Sequence, residues 1–176
     1  MKNIQYNIHT NPDSYPVIYS NWYPPITVAA KNLQYAQILM PDLAAAASEM
    51  TTVHQYLYQS WIISNDYKNI RRVIQRIAIV EQHHFSIIGK LITLLGGQPE
   101  IRSSTPESYW SGNMVDYSYD IRTILSKNAE TELFATQAYA EQSKIIHDPY
   151  VSKMLARLSL DEKLHYKIFN DFLSQL

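Results

Sequence analysis

The sequence predicts an all-α fold: a four-helix bundle of two antiparallel helix hairpins joined by a long crossover, preceded by an extended N-terminal arm. Three observations predict it. Apolar residues recur at three-to-four spacing through four segments of about 25 residues each. No segment alternates apolar and polar with period two, so no strands are expected. The links between the segments run short, long, short, which makes hairpins of the first and second pairs and a crossing of the middle link.

Residues 1–38 are expected to form the arm. Pro12, Pro16, Pro24 and Pro25 interrupt any long helix there. Tyr6, Tyr15, Tyr19, Trp22 and Tyr23 are too many aromatics for a plain disordered tail. Such a stretch is expected to lie on the domain surface or on a partner subunit. Residues 39–176 are expected to form the bundle. Pro41 and Asp42 signal a first helix whose stripe is Leu43, Ala46, Glu49, Val53, Tyr56 and Ser60, ended by Ser64-Asn65-Asp66. The second stripe is Ile70, Ile74, Ile77, Glu81, His84, Ile88, Leu91 and Leu95, closed by Gly96-Gly97 before Pro99. Residues 97–116, with Pro99, Pro106, Gly112 and several serines, make the crossover. The third stripe runs Ile121, Leu125, Asn128, Glu132, Ala135, Tyr139. Asp148-Pro149 then caps a fourth helix with Val151, Leu155, Leu158, Glu162, His165, Phe169 and Phe172 on one face.

Composition narrows the chemistry. The 176 residues fit one domain with its own core, 46% hydrophobic and 18% charged. A net charge of -1 without a basic tail speaks against nucleic acid and anionic membrane as partners. No apolar run suggests a membrane span, and the N-terminus has no secretory pattern, so a cytoplasmic location is expected. The sequence contains no cysteine. Disulfides, thiolate metal sites and cysteine nucleophiles are therefore excluded, and any metal must be held by His, Asp or Glu. Only four glycines and no GxxxxGK[ST] or GxGxxG pattern leave little room for a phosphate loop.

The four stripes hold the wrong residues for an apolar core. Each carries a Glu near its middle: Glu49, Glu81, Glu132 and Glu162. His84 and His165 follow Glu81 and Glu162 by three residues, one turn on along the same face. With eight Glu and six His, chance predicts roughly 0.3 Glu-x-x-His occurrences; two occur, one on the second helix of each hairpin. The pattern also repeats internally. Glu49 and Glu132 are each followed seven residues later by a tyrosine, Tyr56 and Tyr139, and the Glu-to-Glu separations are 32 and 30. A single Glu on a stripe usually reaches water at its edge. Four with no Lys or Arg near them on the stripes would be very costly to bury. Two divalent cations would balance them, with neutral imidazoles completing the shell.

These residues resemble a known family. Glu49, EQHH at 81–84, Glu132 and EKLH at 162–165 match the ferritin-like di-iron and di-manganese carboxylate proteins over roughly residues 38–176. The Glu-x6-Tyr pairs and VEQHHFSIIGKLITLLGGQP look most like the rubrerythrin, bacterioferritin and manganese-catalase branches. The resemblance implies that Glu49 and Glu132 each serve mainly one metal, that Glu81 and Glu162 bridge the pair, and that His84 and His165 bind one each. Tyr56 and Tyr139 would support ligand carboxylates, or be core aromatics with a satisfied hydroxyl. The resemblance further places Asp161 behind His84, and Asn128 behind His165. His54 and His83 fall off the ligand stripe and are expected at the surface or an interface; His9 and His147 carry no motif. The resemblance departs in places. With no cysteine, the cysteine-bound iron domain of rubrerythrins is not expected. The fifth helix of cage ferritins is not expected either, the fourth stripe running to the end of the sequence at Leu176. A haem, as in bacterioferritin, would need an axial Met at a dimer interface; Met50 adjoins Glu49.

The cofactor expected is therefore two metal ions, iron or manganese, with zinc as a possible substitute. The function expected is an oxidoreductase acting on hydrogen peroxide or dioxygen, of catalase, peroxidase or ferroxidase type. Peroxide dismutation needs no outside reductant; the other reactions need an external electron donor or ferrous iron. The alternatives are a non-catalytic iron or manganese binding or storage protein, and a structural assembly subunit with a metal-stapled core. The Tyr-rich arm and the resemblance together imply a homodimer or larger homo-oligomer.

Overall fold

The computed structural model describes residues 7–9, 11–104 and 107–176; Tyr6 of the arm and Pro106 of the crossover lie outside the described residues. Among the described residues, five α-helices carry the fold: α1 (Leu33–Leu43), α2 (Glu49–Ile62), α3 (Lys68–Leu94), α4 (Ile121–Ile145) and α5 (Pro149–Leu173). Short links join α2 to α3 and α4 to α5, which pack as two hairpins; α3 meets α5 between them, and α1 lies against α3. Residues 95–120 form the crossover.

The helix ends follow from local chemistry. Ser48 caps α2 by accepting from Thr51 N, Asp120 caps α4 by accepting from Thr123 N, and Asp148 caps α5 by accepting from Tyr150 N and Val151 N ahead of Pro149. After α3, Gly96 takes φ 92°, the left-handed turn that lets the chain leave the helix. Gly97 then passes close to α1, where an added Cβ would lie 2.8 Å from Ala36 Cβ.

Several details depart from the sequence reading. Helix formation begins at Leu33, inside the stretch expected to be an extended arm, and Pro41 lies inside α1 rather than opening a helix. The chain then bends between Ala44 and Ser48. The hydroxyls of Ser48 and Thr51 both donate to the Ala45 carbonyl, at 2.7 and 2.5 Å, an acceptor that a continuous helix would have used. Trp110 Nε1 of the crossover donates to Thr51 Oγ1 at 2.9 Å and pins the bend from outside. The crossover also contains a short antiparallel ladder, β1 (Arg102–Ser104) with β2 (Glu107–Tyr109), in the register Arg102 opposite Tyr109. Three-residue strands are too short to show a periodic signal.

The apolar core is in two parts. One gathers Tyr56, Ile70, Ile74, Ile77, Leu125, Phe169 and Phe172. The other gathers Leu39, Leu43, Ile88, Leu91, Tyr139, Leu155 and Leu158. Along α3, Glu81 and His84 fall between the residues of the first part and those of the second; along α5, Glu162 does the same, with His165 one turn further on beside Leu164. A polar band thus crosses the middle of the bundle. Among the described residues, no helix is long and apolar enough to cross a membrane.

Candidate metal centre

Four helices deliver the six expected ligands to one place. Glu49 comes from the first turn of α2, Glu81 and His84 from the middle of α3, Glu132 from α4, and Glu162 and His165 from α5. All are buried, with exposure of 5% for Glu49 and at most 1% for the others.

The donor atoms form two sets that share members. Glu49, Glu81, His84 and Glu162 converge on one point, and Glu81, Glu132, Glu162 and His165 on another. The sharing is atom by atom. Glu81 turns Oε2 toward His84 Nδ1 at 3.1 Å and Oε1 toward His165 Nδ1 at 2.7 Å. Glu162 turns Oε1 toward His84 Nδ1 at 2.9 Å and Oε2 toward His165 Nδ1 at 3.4 Å. Glu132 Oε2 lies 3.7 Å from His165 Nδ1. Glu81 and Glu162 therefore each span both sets, while Glu49 and Glu132 belong to one each.

The residues fit a pair of cations by a test internal to the chain. Glu81 Oε1, both carboxylate oxygens of Glu162 and His165 Nδ1 are buried and close to one another, yet none makes a properly directed hydrogen bond. Donor atoms gathered this closely without hydrogen bonds among themselves suit a shared cation. Buried oxygens without donors are otherwise expensive. Carboxylates with imidazoles suit iron or manganese, and zinc can enter the same set.

Charge at the site responds to burial and crowding. Burial, then the charges of Glu81 and Glu162, hold the Glu49 carboxyl well above the usual carboxylate range. Burial also pushes Glu132 up, to about 7, against the opposing pull of its contact with His165. Glu81 is opposed by burial and by Glu132, but the two imidazoles beside it win and its pKa falls. His84 and His165 are raised well above the ordinary imidazole value: burial opposes their charge, and the surrounding carboxylates overcome it.

The residues around the ligands are placed as follows. Tyr56 on α2 donates to Glu132 Oε1 on α4, and Tyr139 on α4 donates to Glu49 Oε1 on α2. The two hydroxyls thus cross the bundle reciprocally. Burial and the adjacent carboxylates raise both phenols, which keeps them donors. Asp161 Oδ2 lies 3.1 Å from His84 Nε2, the nitrogen facing away from the carboxylates. Asn128 does not reach His165. Its amide is engaged by α2 instead, accepting from Gln55 and Gln59 at 3.1 and 2.9 Å and donating to Gln59 Oε1 at 2.7 Å. His165 Nε2 sits 2.8 Å from the Val17 carbonyl of the arm. His54 is exposed with its ring against Trp110, and His83 is exposed with its ring edge-on to Tyr23.

Several groups at the site carry no sequence signal. Val17 acts through its backbone. Tyr23 looks like any arm aromatic, but donates to Asp161 Oδ2 at 2.5 Å. Arg157 is buried on α5 and pairs with Asp161 Oδ1 at 2.8 Å; its spacing of four from Asp161 was the one available hint. A cavity of about 20 Å³ opens beside Glu49 and Glu132, walled by Asp42, Thr52, Ala135 and Tyr139 among others. That volume holds one water-sized molecule.

Comparison with known proteins agrees with this architecture. A probable manganese catalase of Clostridium acetobutylicum is 24% identical, the match covering 86% of this chain and 75% of that protein. The crystal structure of wild-type KatB, a manganese catalase from Anabaena, superposes with a TM-score of 0.79 at 24% identity, over 90% of this chain and 80% of that one. The bacterioferritin of Desulfovibrio desulfuricans, described with a diiron site, gives a TM-score of 0.68 at 22% identity, over 81% and 79% of the two chains. The family model described as Ferritin-like matches residues 43–175, most of the sequence and all six convergent side chains, and the chain belongs to the Ferritin-like family.

Proposed function

We propose that the protein holds two iron or manganese ions and is an oxidoreductase acting on hydrogen peroxide or dioxygen. One observation carries the reading: two buried four-residue donor sets that share Glu81 and Glu162 through different oxygens of each carboxylate. In this reading Glu81 and Glu162 bridge, Glu49 and Glu132 are terminal ligands, and His84 and His165 each bind through Nδ1. A pair of redox-active ions in such a site supplies two-electron exchange with a small oxygen species.

The protein's own groups do the rest. Tyr56 and Tyr139 hold one oxygen of each terminal carboxylate, which limits how those side chains can swing. The apolar clusters on both sides of the polar band keep bulk water out. The cavity among Glu49, Glu81, Glu132 and Glu162 is small, which suits a small substrate. Within this class, peroxide dismutation is the reaction we favour. The relatives above include proteins named as manganese catalases, and the sequence has no cysteine with which to supply electrons. We further propose a homo-oligomer, the bacterioferritin-related protein of Bacteroides fragilis being described as dodecameric, and a cytoplasmic location.

The test is anaerobic reconstitution with manganese or with iron, metal analysis, and oxygen release from added peroxide. Two equivalents of metal are expected, with one O2 released per two H2O2 consumed. Metal uptake with neither peroxide consumption, with or without a reductant, nor iron oxidation by dioxygen refutes the oxidoreductase. Iron oxidation by dioxygen without peroxide dismutation would assign a ferroxidase-type reaction instead.

A further inference from the structure

Every metal-ligating histidine needs its second ring nitrogen held, because that contact fixes the tautomer and the ring's direction. In this chain the two histidines are held differently. Asp161, directly before Glu162, serves His84 from α5. The corresponding position before Glu81 is Val80, whose side chain cannot accept a proton, and His165 is left to the Val17 carbonyl at 2.8 Å. The arm thus supplies what the internal repeat lacks.

The arm also completes the other side. Tyr23 donates to Asp161 Oδ2 at 2.5 Å and lies 3.3 Å from His84 Nε2. Tyr19 N donates to Asp161 Oδ1 at 2.6 Å. Arg157 fastens the segment: its Nε and Nη2 donate to the carbonyls of Asn21 and Tyr19 at 2.7 and 2.8 Å, its Nη1 pairs with Asp161, and its guanidinium lies 4.2 Å from the centre of the Tyr23 ring. Arg157 is only 4% exposed, so these contacts are its solvation. A carbonyl opposite His165 Nε2 and a carboxylate opposite His84 Nε2 both require an N–H at those nitrogens. Each ring then has its Nδ1, on the side of the shared carboxylates, as the nitrogen that could bind a cation.

We propose that Val17–Tyr23 are positioning residues of the dinuclear centre, selecting the Nδ1-ligating form of both histidines; this rests on the dinuclear reading above. Because coupling is reciprocal, metal binding in turn tightens the arm. The experiment uses the full chain and manganese. Tyr23→Phe is expected to weaken manganese affinity about 10–100-fold and to alter the electron paramagnetic resonance signal of the bound ions. Its metal-free melting temperature should stay near that of wild type. Tyr35→Phe removes a hydroxyl that accepts from His147 N, away from the centre, and should change neither. Hydrogen exchange of the wild-type arm, the Tyr19 amide above all, should slow on loading. Should Tyr23→Phe also lower the metal-free melting temperature, the exchange measurement decides. Wild-type affinity and signal in a normally folded Tyr23→Phe, or arm exchange indifferent to manganese, overturns the arm's role alone. Wild-type protein that takes up no manganese overturns the dinuclear reading and this one together.

Discussion

Replacing Glu81 and Glu162 together by Gln is the sharpest perturbation, because each carboxylate gives one oxygen to each donor set. The change keeps side-chain volume and removes a bridging charge from both sets at once. Its size can be worked out. A ligand that binds only the folded state at about one hundred times its dissociation constant stabilises by about 2.7 kcal/mol. Two sites thus contribute about 5.4 kcal/mol. A chain of 176 residues unfolds with an entropy of about 0.37 kcal/mol/K. Metal should therefore raise the wild-type melting temperature by roughly 15 °C. The double variant should show almost none of that rise, and metal analysis should fall from two equivalents to near zero. Glu132→Gln damages only one set and should keep about one equivalent and about half of the rise. The assay is calorimetry with and without manganese, each protein compared with its own metal-free form so that any change in the unloaded fold drops out. A double variant that keeps two equivalents and the full rise would refute the assignment of Glu81 and Glu162 and move the site elsewhere.

Other outcomes follow from single contacts. Tyr139→Phe removes the hydroxyl on Glu49 Oε1 and should weaken metal affinity about 10-fold, read by metal titration, while costing the unloaded fold about 1 kcal/mol. Asp42 is half-buried, but its Oδ2 is sealed from water without a hydrogen bond, and burial raises its pKa to about 7 despite a bond from Gln142. A raised folded-state pKa means stability present at low pH and lost as pH climbs through about 7. Metal-free Asp42→Asn should therefore match wild type near pH 4 and exceed it by roughly 2–4 kcal/mol at pH 8.5 in denaturant titrations; a pH-independent difference would count against this. Gly97→Ala forces a Cβ against Ala36 and the Ile92 carbonyl at 2.8 and 3.2 Å. It should cost about 1–3 kcal/mol, lowering the melting temperature without changing metal stoichiometry.

What was legible in the sequence was what the helical period displays. Glu81 with His84 and Glu162 with His165 share a face by spacing alone, and a carboxylate on an apolar stripe is conspicuous because burial makes it costly. The bend at Ala44–Ser48 was hidden because alanines are the best helix formers; tertiary contacts from Ser48, Thr51 and Trp110 override that preference. Asn128 departs from the expected partner, His165, because an amide one turn from Glu132 can serve either neighbour. Gln55 and Gln59 on α2 compete for it and win. The hold on His165 was invisible in principle, since the acceptor is a peptide carbonyl that any residue at position 17 would carry.

The repeat explains why the centre lies where the hairpins meet. The first donor set draws Glu49, Glu81 and His84 from the first hairpin but Glu162 from the second; the other set draws Glu132, Glu162 and His165 from the second but Glu81 from the first. The tyrosines cross in the same sense, Tyr56 to Glu132 and Tyr139 to Glu49. Neither hairpin can complete a set, or satisfy its own terminal carboxylate, alone. Docking of the hairpins and assembly of the polar band are consequently one event, and cations that bind there stabilise the docked state in particular. The symmetry fails at Val80 against Asp161. There the chain reaches outside the bundle for its missing acceptor, which ties a segment with little helical tendency to the most buried chemistry in the molecule.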